Sequence, residues 1–243
     1  MADIHQRLLA NVIVRTYLSG AQIRLDGSAL LPEDRFNLPF GTFSTVEFAH
    51  LFSVFNGSRV HVQAEKSTSR DDAPPGLYFS VINNHVLENQ HKNKLGIVQR
   101  ADTYMVDLFV QDMHIDHYFL KEERTPAKLG TFAFALCAIT AHLAGMGRIT
   151  LIAADGRGKS PRYVGVKVWP KLGFDAPLLA DETSGFPHLD GSHTVQGVIA
   201  RDEAWWAEHG TQRRMAFDLS AHSASWLKLL TYTGRKLSEG SPS

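Results

Sequence analysis

The sequence predicts an α+β fold: a mixed sheet with an antiparallel N-terminal part, a central βαβ unit and extra helical segments at both ends. Three observations predict it. Residues 77–82 (LYFSVI), 103–111 and 115–120 are rich in β-formers, and in 103–111 Tyr104, Val106, Leu108 and Val110 alternate onto one face. Residues 115–154 read strand, polar loop, apolar helix, apolar strand, which is the order of a βαβ crossover. Both ends of the chain instead carry apolar residues at helical spacing.

Taken in order, Ile4, Leu8, Leu9, Val12 and Ile13 predict helix in the first turns. Pro32 and Pro39 bracket a loop. Residues 46–55 (VEFAHLFSVF) predict a second short helix, capped by Ser44 or Thr45. Residues 65–76 (EKSTSRDDAPPG) are a polar loop ending in Pro-Pro-Gly, and strand 77–82 stops at Asn83-Asn84. Asp112-Met113 reads as a tight turn joining 103–111 and 115–120 in an antiparallel hairpin.

After the polar loop 121–129, Gly130 and Thr131 open a helix that Gly145 and Gly147 stop. Both its faces are apolar, so it is expected to be buried. Residues 148–154 (RITLIAA) then predict a strand covered on both sides, as in parallel sheet. Residues 163–172 are ambiguous, because Pro170 limits any helix there. Residues 202–209 predict a short capped helix ended by Gly210, 215–219 a strand, and 220–237 a terminal helix with Trp226, Leu229, Leu230 and Thr233 at helical spacing. Residues 1–237 read as a single domain with its core at about 77–180, followed by a disordered tail at 238–243.

Composition narrows the function. The 243 residues are 44% apolar and 21% charged, an ordinary globular balance. Lys plus Arg and Asp plus Glu are 25 each, so no global basic excess draws the chain to nucleic acid or an anionic membrane, and neither is expected as a partner. The single cysteine, Cys137, excludes an intrachain disulfide and a Cys-rich zinc fold, and it lies within the apolar helix, where it packs. The apolar stretches 8–14 and 132–139 are too short to cross a bilayer and no cleavage signal follows the first, so a soluble cytoplasmic protein is expected. Nothing indicates the oligomeric state.

Several residues could carry chemistry. A helix N-terminus offers free amides and a positive dipole end, so Lys128, Leu129, Gly130 and Thr131 could hold a diphosphate; alternatively, Gly130 merely lets a buried helix start against a strand. His114 and His117 form H-x-x-H, but residues three apart on a regular strand point to opposite faces, so no metal is expected. Residues 153–160 (AADGRGKS) partly follow a phosphate-loop pattern, with Ala153 in place of the first glycine and Pro161 where a helix should begin.

The order strand 115–120, polar loop, K-L-G-T, apolar helix, apolar strand, then W-P-K-L-G-F at 169–174 resembles the GNAT acyltransferase superfamily over roughly residues 77–180. That family's R/Q-x-x-G-x-G/A loop here reads T-P-A-K-L-G, residues 125–130, and keeps Gly130. The resemblance implies direct transfer of an acyl group from acetyl-CoA or a longer acyl-CoA to an amine, on a small molecule or a peptide or protein, without metal. It implies a gap between the strand before the loop and the next strand, with Phe119 and Leu120 against the pantetheine and Lys128, Leu129, Gly130 and Thr131 at the pyrophosphate. His114 matches the position of a general base, and histidine titrates near neutrality. Period two puts Asp116 and Tyr118 on the same face as His114, so Asp116 could orient or replace it. Trp169 stands where the family's acid tyrosine is usual and indole is no acid; Tyr163, six residues earlier, could substitute. Two alternatives remain: a catalytically degenerate GNAT-like acyl-CoA-binding or regulatory protein, and a nucleotide-binding protein using the 156–160 loop.

Overall fold

The computed structural model describes residues 1–69, 72–87, 91–101, 109–121, 123–157 and 163–239. The chain begins with helices α1 (Ala2–Ala10) and α2 (Val12–Tyr17), then short strands β1 (Arg24–Leu25) and β2 (Ser28–Ala29), and a separate hairpin of β3 (Arg35–Leu38) and β4 (Gly41–Ser44). Helix α3 (Thr45–Leu51) leads to β5 (Arg59–Glu65), β6 (Gly76–Ile82), β7 (Asn93–Ala101) and β8 (Phe109–His117). The central crossover is α4 (Leu129–Leu143) into β9 (Arg148–Ala153). Short α5 (Gly165–Val168) runs into a 3-10 turn at Trp169–Leu172, and α6 (Val195–Arg201), α7 (Glu203–His209), β10 (Arg213–Asp218) and α8 (Ala224–Ser238) complete the chain.

Among the described residues the main sheet has eight strands, in the order β10-β9-β8-β7-β6-β5-β1-β2. Only β8–β9 and β1–β5 pair in parallel; the other neighbours are antiparallel. The fold is therefore mixed α+β, with β8-α4-β9 forming the expected βαβ unit. Helix α4 is the buried axle of the molecule. Its residues from Phe132 to Ala141 are all buried, because α1, α2, α3 and α8 pack around it while its remaining side meets the sheet. Met113, Ile115, Leu95, Ile97, Phe79 and Val81 supply the sheet side of this core. Deleting one such ring, Phe134 for example, would cost about 3–5 kcal/mol.

Local chemistry explains the ends of the elements. Ser44 caps α3 through a capping box with Glu47, while Asn11, Thr194, Asp202 and Ser223 cap α2, α6, α7 and α8. The 3-10 turn ends at Gly173, whose φ of 96° belongs to the left-handed region. A Cβ there would lie 2.4 Å from the Ser225 carbonyl oxygen, so only glycine lets this turn seat on α8.

The opposite face of the sheet is more polar. Tyr78, Val98 and Ala73 make a small apolar cluster on it. The chain before β6 crosses this face: Tyr78 Oη donates to the Pro74 carbonyl at 2.6 Å, and Arg214 of β10 donates to the Asp72 carbonyl at 3.0 Å.

Several expectations are corrected. Asp112-Met113 is no turn: β8 runs straight through it and pairs with β7, not with a strand at 103–108, which lies outside the described residues. Asp112 tolerates a buried mid-strand place because the Arg100 and Arg148 Nε atoms both donate to its Oδ2 at 2.8 Å. The loop expected between Pro32 and Pro39 contains β3. Helix α3 is shorter than 46–55 and stops before Ser53, which has a positive φ of 49°. The terminal helix starts at Ala224, four residues later than expected, and continues through Ser238 into the expected tail; residues 240–243 lie outside the described residues.

Candidate functional site

Two departures from regular sheet meet at the C-terminal end of β8. The first is in the parallel β8–β9 ladder. Its pairs are Met113–Ile149, His114–Thr150 and Ile115–Leu151, and there it stops. Both strands run two residues further, β8 held by β7 and β9 by β10, so a gap opens between residues 116–117 and 152–153.

The second is a register shift between β7 and β8. Leu95 pairs with Ile115 but Lys94 pairs with His117, which leaves Asp116 as an extra residue, a β-bulge. A bulge reverses the face of every later side chain. His117 and Phe119 therefore join His114 and Asp116 on the polar face, while Tyr118 and Leu120 turn to the helix face. The contacts agree. Tyr118 packs edge-on against Trp169 with ring centres 5.7 Å apart, and Leu120 lies against Gly130 at the start of α4. Phe119 instead meets His91 at 4.5 Å, His117 at 6.0 Å and Tyr163 at 6.3 Å. This corrects the period-two reading: Tyr118 does not share a face with His114, and His117 does.

The polar face carries a charge cluster. Lys94 Nζ is 3.0 Å from Asp116 Oδ2 and 3.2 Å from Glu65 Oε1, and it sits 4.6 Å from the centre of the Tyr78 ring. Burial alone would lower the Lys94 pKa, but the two carboxylates reverse that and raise it. Burial pushes the Asp116 carboxyl up, yet His117 and Lys94 outweigh it and hold the pKa at about 2. Asp116 is thus an anion at any physiological pH. His117 Nδ1 lies 3.2 Å from Asp116 Oδ1, an ion-pair distance without the alignment of a full hydrogen bond.

His114 has a different environment. It is 1% exposed, its Nδ1 sits 2.9 Å from Thr150 Oγ1, and Thr150 donates onward to the Met113 carbonyl. Burial pushes its pKa down to about 4, so it is a neutral imidazole shut inside the sheet.

On the helix side, α4 starts without a side-chain cap at Lys128. Leu129 N donates to the Pro126 carbonyl and Phe132 N to the Lys128 carbonyl, while the amides of Gly130 and Thr131 have no acceptor among the described residues. The C-terminal turn of α8 lies close by. The Glu239 carboxyl is held below its usual range first by its hydrogen bond to Lys236, and further by Lys128 and Arg235. Arg235 and Lys236 also border a groove of about 1300 Å³ whose other wall includes Lys167 and Lys171. The N-terminus of α4 thus combines the positive end of its dipole with the adjacent Lys128, while the nearby Glu239 carboxylate is paired with Lys236.

Trp169 closes the helix side of the gap, with ring centres 5.2 Å from Phe174 and 5.8 Å from Phe134. Tyr163 lies on the opposite side, where its ring faces Phe119, and is 39% exposed. The buried Tyr118 hydroxyl lies beside Ser53, but neither completes a hydrogen bond with a described residue, and burial pushes the phenol pKa far up.

The structure thus brings Asp116, Phe119 and Tyr163 together on one side of the gap, and Leu120, Lys128, Leu129, Gly130 and Thr131 on the other, with His114 beneath in the sheet. Lys94 and His117 were not singled out as site residues by sequence, since their roles arise from the bulge and from long-range pairing. Among the described residues no group of three or more His, Cys, Asp or Glu side chains could hold a metal ion, and no helix is long and apolar enough to cross a membrane. Residues 158–160 of the partial phosphate loop lie outside the described residues. No protein-family model matches the chain, and neither a curated protein nor a solved structure matches it.

Proposed function

We propose that this chain is a GNAT-like acyl-CoA-dependent N-acyltransferase that moves an acyl group directly from CoA to an amine. The observation that carries the reading is the parting of β8 and β9 beside the N-terminus of α4. A gap between two parallel strands gives a thin pantetheine chain a path lined by unpaired backbone groups. Two amides without acceptors, with Lys128 beside them, suit a diphosphate at the adjoining helix end.

In this reading the diphosphate lies on the helix side, against Gly130 and Thr131, with Lys128 beside it. Phe119 and Leu120 flank the pantetheine as it passes through the gap. The thioester carbonyl then takes a backbone amide of the β8 end as hydrogen-bond donor while its oxygen gains charge. The acceptor amine approaches from the polar face, and Tyr163, whose ring lies 6.3 Å from that of Phe119, serves as the acid for the departing thiolate.

A second reading, an acyl-CoA-binding protein without catalysis, is favoured by Trp169 in the place of an acid. One experiment tests both. The purified protein is incubated with acetyl-CoA and a panel of primary amines, with bound CoA read by native mass spectrometry and free thiol by colorimetry. Binding with amine-dependent thiol release supports the enzyme; binding without release supports the second reading; no binding contradicts both.

A further inference from the structure

We propose that His117, oriented by Asp116, is the general base that removes the proton from the attacking amine, and that the acceptor reaches it from the sheet face opposite α4. This rests on the acyl-transfer reading and deepens it.

Adjacent residues on a regular strand face opposite ways, so His117 and Asp116 could not meet without the bulge. The extra residue at Asp116 puts both on the polar face, with Nδ1 and Oδ1 3.2 Å apart. The His117 side chain is 36% exposed although its Nδ1 atom is buried, so the open edge of the ring is the one bearing Nε2. The negative charge beside Nδ1 favours the tautomer with its proton there and leaves the Nε2 lone pair on the exposed edge of the ring, the arrangement a base requires.

The location is equally specific. His117 is the last residue of β8, at the edge of the gap, and its ring lies 6.0 Å from that of Phe119. The acyl carbon, if it emerges from the gap, meets the acceptor on this face. The charged and titratable groups on this face are Asp116 beside His117, Lys94 on β7, Glu65 on β5, His91 against Phe119, and His114 with Arg214 of β10 acting on it. Lys94 keeps Asp116 anionic, so the orienting charge persists throughout the working pH range. His114 cannot do the same work: it is enclosed, and its lowered proton affinity makes it a weak base.

The step balances as follows. The ammonium sheds one proton to solvent, and its nitrogen bonds to the thioester carbon. His117 Nε2 takes the second proton from the adduct nitrogen, the C–S bond breaks, and CoA leaves as thiolate. Tyr163 protonates the thiolate, and the imidazolium returns its proton to solvent, from which Tyr163 recovers one.

The test is thiol release from acetyl-CoA with the amine panel, run on wild type, His117→Ala, His117→Gln, Asp116→Asn and His114→Gln, with folding checked by circular dichroism and acetyl-CoA binding by calorimetry. His117→Ala is expected to lower kcat roughly 10²–10⁴-fold with acetyl-CoA affinity unchanged and the deficit shrinking as pH rises. His117→Gln, close in size, gives the same reading if the alanine variant unfolds. Asp116→Asn should lower kcat less and shift the His117 tautomer, read from imidazole ¹⁵N chemical shifts. His114→Gln should retain activity within tenfold. Full activity in folded His117 variants, or a greater loss in His114→Gln, overturns the assignment while leaving acyl transfer intact. Acetyl-CoA bound without thiol release removes the base altogether, and no acetyl-CoA binding removes the acyl-transfer reading together with this one.

Discussion

His117 and Asp116 are neighbours in sequence, yet their side chains lie on one face of the sheet with Nδ1 and Oδ1 3.2 Å apart. One inserted residue in β8 produces this contact, and the same insertion sends Tyr118 and Leu120 to the helix side. The bulge thus sorts the end of β8 into a polar surface, where the acceptor is proposed to approach, and an apolar surface against α4. Three substitutions and one pH experiment probe the frame around it.

Gly130 sits where the diphosphate is proposed. A side chain there meets only the flexible end of Leu120, at 3.0 Å from a Cβ, so the fold should survive substitution. Gly130→Glu would add bulk and negative charge in front of the free amides of α4. Acetyl-CoA affinity is expected to fall at least tenfold with the thermal midpoint little changed; calorimetry beside circular dichroism measures both.

Trp169 packs in a group of rings with Tyr118, Phe134 and Phe174. Trp169→Phe removes contact area without removing an acid or a base, so about 1–2 kcal/mol of stability should be lost and turnover should change little. A urea titration and the thiol assay separate the two effects. A folded variant with turnover down a thousandfold would show a direct role for the indole.

Two buried histidines make the fold sensitive to mild acid. Burial lowers both His50 and His114 from 6.5 to about 4. Below pH 6.5 the unfolded chain binds protons that the folded chain refuses, so stability declines as pH drops from about 6.5 to about 4. The two sites together account for a few kcal/mol over that window. Asp116 adds a later loss, from its ordinary 3.8 down through about 2. Urea midpoints at pH 7, 5.5 and 4.5 should fall steadily, and a His50→Gln, His114→Gln double variant should flatten the decline.

Much of this was legible in the sequence for one reason: the relevant signals were local. The apolar run of α4, the β-rich β6 and β9, and the Ser44 and Asp202 caps each declare themselves within a few residues. Strands β5 and β7 do not, because their charged residues find partners far along the chain. Lys94 is neutralised by Asp116 and Glu65, and Arg100 by Asp112. Asp112 looked like a turn residue for the same reason, since nothing nearby in sequence announces Arg100 and Arg148. The site followed this division. Phe119, Leu120 and the start of α4 could be placed from element order, but the choice between His114 and His117 depends on a bulge that no periodicity reveals.

Gly173 offers a stability control away from the site. Its φ of 96° and the 2.4 Å approach that a Cβ would make to the Ser225 carbonyl oxygen both oppose a side chain. Gly173→Ala should cost roughly 2–4 kcal/mol, seen as a lower urea midpoint with an unchanged slope. A neutral result would mean that the 3-10 turn and α8 are free to separate.

The central claim is that the gap between β8 and β9, with the N-terminus of α4 beside it, receives acyl-CoA. Isothermal titration of the protein with acetyl-CoA tests it most directly, with Gly130→Glu as the matched control. The account predicts saturable one-to-one binding with a dissociation constant at or below roughly 1 mM, the upper end for enzyme substrates, and marked weakening in the variant. Absence of binding to wild type, or equal binding to both proteins, would contradict it.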